Sequence, residues 1–377
     1  MAEKNSGKHP SVYEYLNWRG DLDFDTVPLG EVDNFIFSAI SYVDFDGVVS
    51  EEISPMRPPV LLSVTKNYLR TQPRFVKRMG LIIPREIVTV MVRAAKTPRF
   101  GLCRPFGYVN RICDEEQKQF SAISFRLPSG DIFIAFRGTD DTLVGWKENF
   151  NMSFMHPVPA QTEALQYLES VAAKTSGNIY VGGHSKGGNL AVFAAVKASN
   201  ATKERIIAVY NNDGPGFDRD FIRGADYKQM SPRIHTLVPQ TSVIGMLLEH
   251  EENYTVVKSN SSGLLQHNGL SWEVMGGSFI HLDEVDEESK SIDRSLKAWL
   301  ETLSKEQREG FVDSLYEALT STDAKTLSEL SADKTKLVKA WNSMDAVSRA
   351  NLLKCINLVF RKKNQKQKKS TEIEKNG

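Results

Sequence analysis

The first apolar pattern in the chain is Glu31 to Ser41 (EVDNFIFSAIS). Val32, Phe35, Ile36, Ala39 and Ile40 recur there at helical spacing. Val60 to Leu69 and Arg85 to Ala95 are predicted as two further helices, with Pro58, Pro59 and Pro84 placed to start them. Residues 1–100 therefore read as a helical N-terminal leader that packs on the core of the protein. From about Phe106 the pattern changes. Phe120 to Leu127 alternates, Pro128-Ser129-Gly130 turns the chain, and Asp131 to Phe136 runs back, which predicts a β-hairpin. Helix and strand patterns then alternate. Ala160 to Lys174 repeats Leu165, Leu168, Val171 and Ala172 on one helical face, and Asn189 to Ala198 is a second helix. Asn178 to Gly182, Arg205 to Tyr210, Arg233 to Val238 and Tyr254 to Lys258 read as strands. This alternation predicts an α/β fold with a mostly parallel central sheet and right-handed crossovers, with residues 101–288 as its core.

Residues 289–360 read as helices only, a C-terminal helical extension. One apolar stripe holds Ile292, Leu296, Trp299 and Leu303, and a second holds Phe311, Leu315 and Leu319 after a capping-box pattern of Ser304 and Gln307. Leu352, Ile356, Val359 and Phe360 form a third stripe. The segment 361–377 (RKKNQKQKKSTEIEKNG) is basic and polar and is expected to be disordered.

Composition narrows the classes. At 377 residues the chain is long enough for one large domain with additions or for two domains, and 41% hydrophobic with 25% charged residues is ordinary for a soluble globular protein. Lys plus Arg equals Asp plus Glu, at 47 each, so net charge points to no nucleic-acid or acidic partner. The basic tail could touch nucleic acid or an anionic lipid surface. A solvated tail is the preferred reading, with no nucleic-acid partner expected and peripheral membrane contact left open. No apolar run approaches the roughly 18 residues a membrane-spanning helix needs, and the N-terminus lacks an apolar signal core. Three cysteines, Cys103, Cys113 and Cys355, fit a reducing compartment, so a cytoplasmic protein is expected. No CxxC pair or His/Cys cluster suggests a metal site, and neither metal nor cofactor is expected.

The chemistry is concentrated in Gly183-His184-Ser185-Lys186-Gly187, a G-x-S-x-G string placed between the apolar strand NIYVG and a helix beginning near Gly188. A strand-to-helix turn that sharp strains the nucleophile's backbone and demands small flanking residues, here Gly183, Gly187 and Gly188. It lifts the hydroxyl out of the sheet toward a helix N-terminus, where N–H groups favour negative charge. A serine hydroxyl needs a base, usually a histidine held by a carboxylate, and where a G-x-S-x-G turn of the α/β-hydrolase type carries the serine the order is serine, acid, histidine. His267, in the loop SNSSGLLQHNGLSW nine residues beyond Lys258, is the candidate base. His281 is the runner-up, and His250 ranks lower because it precedes the strand Tyr254 to Lys258.

Asp213, which opens an Asp-Gly-Pro-Gly turn after the strand RIIAVY, is the candidate acid. A turn aspartate bonding its own backbone is the competing reading, and Asp218, Glu249 or a serine–histidine dyad oriented by Ser242 are the alternatives. A tetrahedral intermediate needs two donors. The N–H of Lys186 is one candidate, and the second is Thr139 in Phe136-Arg137-Gly138-Thr139-Asp140, with Gly138 permitting close approach and Asp140 anchoring the loop. The connection to about Pro159 carries Leu143, Val144, Trp146, Phe150, Met152, Phe154 and Met155. That suggests a lid or acyl-binding surface, or equally burial against the helical extension.

FRGTDD before VGGHSKGG resembles the fungal-type class 3 lipases, in which a Thr or Ser after Arg-Gly contributes to the oxyanion hole. The resemblance implies an α/β-hydrolase fold and puts these roles on Thr139, Ser185 and Lys186. The chain is also similar, over roughly residues 11–275, to a bacterial family of lipase-like proteins sharing a YEYLNWRGDLDF-like start, VDNFIFSAISYVDFDG, NNDGPGF and QHNGLSW. One departure stands out. In class 3 lipases the acid follows the strand equivalent to RIHTLV, where this chain has Thr241 and Ser242. Some other lipases carry it one strand earlier, where Asp213 lies. The resulting expectation is a serine esterase that cleaves a small-molecule acyl ester or a lipid through an acyl-enzyme on Ser185. The alternative is a catalytically silent α/β-hydrolase-fold binding or regulatory module.

Overall fold

A computed structural model of the chain describes residues 10–360, apart from 54–56, 73–84, 141, 153–154, 243–244, 246–253 and several positions between 288 and 332. In chain order it begins with helices α1 (Val12–Arg19), α2 (Glu31–Ile40), α3 (Leu61–Thr71), α4 (Glu86–Ala94) and the single turn α5 (Pro98–Gly101). Strands β1 (Arg104–Cys113), β2 (Lys118–Arg126) and β3 (Ile132–Phe136) follow, then helices α6 (Leu143–Asn151) and α7 (Pro159–Lys174). Next come β4 (Ile179–His184), α8 (Lys186–Lys197), α9 (Asn200–Arg205), β5 (Ile206–Asn212), α10 (Arg219–Arg223), α11 (Ala225–Met230), β6 (Ile234–Pro239) and β7 (Tyr254–Val257). Short strands β8 (Val274–Met275), β9 (Ser278–Phe279) and β10 (His281–Leu282) precede helices α12 (Lys305–Thr320), α13 (Lys334–Ser343) and α14 (Ala346–Phe360).

Eight strands make one sheet in the order β1-β2-β3-β4-β5-β6-β7-β10. From β3 to β7 every pairing is parallel, while β1–β2, β2–β3 and β7–β10 are antiparallel. This order has a consequence for the faces. Parallel strands that follow one another in sequence, joined by crossovers of one hand, put all their connecting helices on the same face. The opposite face must be covered by something else. Along β3, Ile132, Ile134 and Phe136 join a core with Leu168 and Val171 of α7 and Leu190 and Ala194 of α8. Phe133 and Ala135 point the other way and join Ile36, Phe37 and Ile40 of α2, with the Phe37 and Phe133 rings stacked 4.8 Å apart. The N-terminal helices thus close the face that the crossovers leave bare.

A buried ion pair holds them there. Asp33 of α2 accepts from Arg99 Nε at 2.7 Å and Nη2 at 2.6 Å and from the Tyr15 hydroxyl at 2.7 Å. The Arg99 guanidinium also donates to the carbonyls of Leu22, Asp23, Val27 and Pro28. Every charge-bearing atom has a partner, which is what permits two fully buried ions.

Several elements differ from the sequence-based expectation. Helix α1 was not anticipated, since only Val12, Tyr15 and Leu16 of its eight residues are buried. Strand β1 was missed because its alternation breaks at Gly107, which has φ of 65° and sits in a register shift between Phe106 and Val109. The apolar connection after Phe136 is partly helical. Leu143, Val144 and Met152 are buried there, and Leu143 packs with Ala324, Leu330, Tyr316 and Leu319 of the C-terminal region. Phe150 is exposed, and Phe154 lies outside the described residues. At α12, Ser304 and Gln307 form the reciprocal capping box. Pro84, Ile292, Leu296 and the tail 361–377 lie outside the described residues, as do the side chains of Val359 and Phe360.

Candidate active site

β4 ends at His184 and α8 starts at Lys186, so Ser185 alone makes the turn. Its backbone has φ of 58° and ψ of −132°, a region that L-residues rarely occupy and that persists only where surrounding contacts impose it. Those contacts are visible. The Ser185 N–H donates to the Asn212 carbonyl at 2.9 Å. A Cβ on Gly183 would lie 2.2 Å from the Gly187 carbonyl carbon, and one on Gly187 would lie 2.1 Å from the Phe136 carbonyl oxygen. The side chain of Ser185 is half-buried. The first N–H groups of α8 have no intrahelical acceptor, so they face the same region with partial positive charge.

β5 ends at Asn212, which places Asp213 at the sheet's C-terminal edge beside the Ser185 turn between β4 and α8, the elbow. Asp213 is fully buried, has φ of 52°, and donates its N–H to the Leu237 carbonyl of β6 at 2.8 Å. Its Oδ1 accepts from Ser242 Oγ at 2.5 Å and from the Gly245 N–H at 3.2 Å. Its Oδ2 lies 2.6 Å from His267 Nδ1. His267 ends a 3₁₀ turn, Gly263–His267, in the connection after β7, and about a quarter of its side chain (26%) is exposed. The structure therefore brings Asp213 and His267 into direct contact. Ser242, in the connection after β6, donates to Asp213 at the end of the neighbouring strand.

Two of the alternatives, His281 and Asp218, have other partners. His281 on β10 pairs with Glu31 of α2 at 2.9 Å. Asp218 caps α10 by accepting from the Phe221 N–H at 2.8 Å. His250 and Glu249 lie outside the described residues.

Two supports were not read from the sequence. On α2, Asn34 and Ser38 are followed by Tyr42 at the same four-residue step, a polar row on an apolar helix. Asn34 and Asn212 exchange side-chain amide hydrogen bonds at 3.0 Å each way, and Asn212 Nδ2 also donates to the Gly183 carbonyl at 2.9 Å. His184 Nε2 donates to the His267 carbonyl at 2.7 Å, which leaves Nδ1 to accept from the Tyr42 hydroxyl at 3.2 Å. Burial, with a smaller contribution from nearby His267, lowers the His184 pKa to about 3, so this histidine is neutral and its tautomer is set by its two partners. Burial also raises the pKa of Tyr42, keeping its hydroxyl a donor.

On the other side of Ser185 lies the loop after β3. A Cβ on Gly138 would sit 2.5 Å from the His184 carbonyl oxygen, so this loop abuts the elbow. Asp140 ties it down, accepting from Arg137 Nη2 at 3.0 Å and from the Thr142 N–H at 2.9 Å. Thr139 is 5% exposed, and its hydroxyl has no partner among the described residues. A buried orphan hydroxyl costs about 1–3 kcal/mol, which makes it a feature of interest beside the Ser185 turn. Among the described residues no group of three or more His, Cys, Asp or Glu side chains is arranged to hold a metal ion. No helix there is long and apolar enough to cross a membrane.

A family model described as Mbeg1-like matches residues 94–317. Among solved structures, the native Rhizomucor miehei lipase propeptide complex is similar at 16% identity and a TM-score of 0.32, covering 48% of this chain and 63% of that one. M37 lipase is similar at 18% identity and a TM-score of 0.33, covering 56% of this chain and 68% of that one. The chain thus spans less than two thirds of the length of the Rhizomucor miehei structure. No curated protein matches the chain.

Proposed function

The chain belongs to the Mbeg1-like family, and on that premise we propose that it is a serine hydrolase of the α/β-hydrolase type that cleaves carboxylic esters. The observation that carries this reading is the contact between buried Asp213 and partly exposed His267, 2.6 Å long, at the same sheet edge as the strained Ser185 turn. In the proposed reaction Ser185 Oγ attacks the acyl carbon and gives its proton to His267 Nε2. Asp213, at Nδ1, fixes the tautomer and stabilises the imidazolium that forms. The N–H groups of Lys186 and Thr139, with the Thr139 hydroxyl, receive the oxyanion. His267 then returns its proton to the departing alkoxide, and water hydrolyses the acyl-enzyme by the same sequence of steps.

Lipids or medium-chain acyl esters are the proposed substrates, from the aromatic pair on α6 that is not buried in the core, half-buried Trp146 and exposed Phe150. A reducing, cytoplasmic setting is proposed from the two described cysteines, Cys103 and Cys113, which are both free. The test is direct. A fluorophosphonate should label folded wild type at Ser185 alone, as mapped by mass spectrometry, and should not label Ser185→Ala. Absence of label on the folded wild type would favour a catalytically silent binding module, and an adduct on another serine would overturn the assignment.

A further inference from the structure

The proposed reaction uses the backbone of Lys186 but leaves its side chain without a role. That side chain is 1% exposed and paired with a fully buried carboxylate, Glu148 of α6, at 2.8 Å. All three ammonium protons are engaged, since Nζ also donates to the Gln119 carbonyl at 2.6 Å and to Gln119 Oε1 at 2.7 Å. Glu148 is equally complete. Its Oε2 accepts from the Gln119 N–H at 3.1 Å, and its Oε1 accepts from the Ala160 N–H at 2.9 Å, in the first turn of α7. One point thus joins β2, α6, α7 and the residue after the nucleophile.

α6 is fixed from outside as well. Lys147 pairs with Asp313 at 2.8 Å and lies over the Tyr316 ring at 4.6 Å. The Leu143 N–H donates to the Lys325 carbonyl at 3.0 Å. The helix also presses on the oxyanion loop. A Cβ on Gly145, one turn before Glu148, would lie 3.2 Å from the Thr139 methyl and 3.0 Å from Gln119 Oε1.

We infer that the Lys186–Glu148 ion pair is a positioning device, which pins α6 as a fixed wall over Thr139 and sets both oxyanion donors from one buried point. Thr139 is held through α6 at Gly145, and the Lys186 N–H is held because its own side chain is anchored. Glu148 and the Lys186 side chain touch no substrate and act through these donors. α6 is then not a moving lid, and access to Ser185 does not wait on its opening. The inference rests on the esterase reading of the same site.

The experiment compares full-length wild type with Lys186→Met/Glu148→Gln, which removes both charges together and so leaves no unpaired buried ion. Turnover of p-nitrophenyl butyrate is measured per site titrated by a fluorophosphonate, and exchange of the 143–151 amides is followed by mass spectrometry. Wild-type 143–151 should exchange as slowly as the central strands. The double variant should lose that protection and about a hundredfold in kcat per titrated site, with KM changed by less than about threefold. A double variant that folds with wild-type kcat per site overturns the positioning role, and rapid exchange of 143–151 in the wild type overturns the fixed wall. If the double variant does not fold, Gly145→Ala is the second probe. It keeps the ion pair but crowds Thr139, and it should lower kcat with exchange unchanged; unaltered kcat overturns the inference. A wild type that takes no label at Ser185 overturns the esterase reading instead, and the exchange measurement then reports on the pinning by itself.

Discussion

At the scale of single residues, two groups make separable predictions. Asp213 is buried with its Oδ2 on His267 Nδ1 and its Oδ1 on Ser242 and Gly245. Asparagine preserves the shape and suits a left-handed turn position. It also presents an amide that can donate to Nδ1 and so favours the wrong tautomer. Asp213→Asn should therefore lower kcat by roughly three to four orders of magnitude, with a melting temperature near that of wild type. A fully active variant would move the acid elsewhere.

His184 makes a prediction about pH. Its folded pKa of about 3 lies below the ordinary 6.5, so the fold requires the neutral ring while the unfolded chain takes up a proton below about pH 6.5. This contribution to stability is complete above pH 6.5 and declines as pH falls toward 3. The groups packed around the ring are Tyr42, Phe35, Trp272 and His267, and none supplies an anion. His156, half-buried, and His235 on β6 are shifted in the same direction. The test is accordingly a difference between proteins. Thermal melts of His184→Gln should lose less stability than wild type between about pH 6.5 and about pH 5. Parallel curves would rule out the assignment.

At the scale of elements, α2 does two jobs that its sequence states separately. Its apolar positions, Val32, Ile36 and Ile40, were legible as a helix because their spacing is local. Asn34 on the helix and Tyr42 just past its end were not legible as supports, because their partners lie about 140 to 180 residues away. The same holds for Asp33, whose partner is Arg99. Arg99→Met should cost about 3–5 kcal/mol in urea unfolding, since it leaves a buried carboxylate unpaired. Asp33→Leu/Arg99→Met should be destabilised less than the single variant. A double variant that loses as much as the single would show that packing, not the unpaired charge, dominates.

At the scale of the whole molecule, the N-terminal and C-terminal helices contribute differently. The N-terminal helices cover the sheet face opposite the crossovers and reach the elbow through Asn34 and Tyr42. The C-terminal helices meet α6 through Leu143 and Lys147. The basic segment after Arg361 carries no apolar stripe that would dock it. Deleting residues 362–377 should leave turnover on a soluble ester and the melting temperature unchanged, measured side by side with the full chain. A large loss of turnover would show that the segment reaches the site.

The sequence determined by itself whatever depends on short-range spacing. The alternating strands, the helical faces, and a serine placed between an apolar strand and a glycine-rich helix start follow from steric rules acting over a few residues. It also ranked Asp213 and His267 ahead of Asp218, Glu249 and His281. Whether those two residues meet belongs to the tertiary structure, because a 2.6 Å contact between residues 54 positions apart is set by sheet order and loop path, not by spacing. Lys186, the residue after Ser185, is the clearest case. In the sequence Lys186 is a charged residue at a variable motif position. In the fold it is 1% exposed and bonded to Glu148 and Gln119, 38 and 67 residues away. A buried charge is tolerable only where distant chain segments together supply every partner it needs, and only the assembled fold brings those segments together.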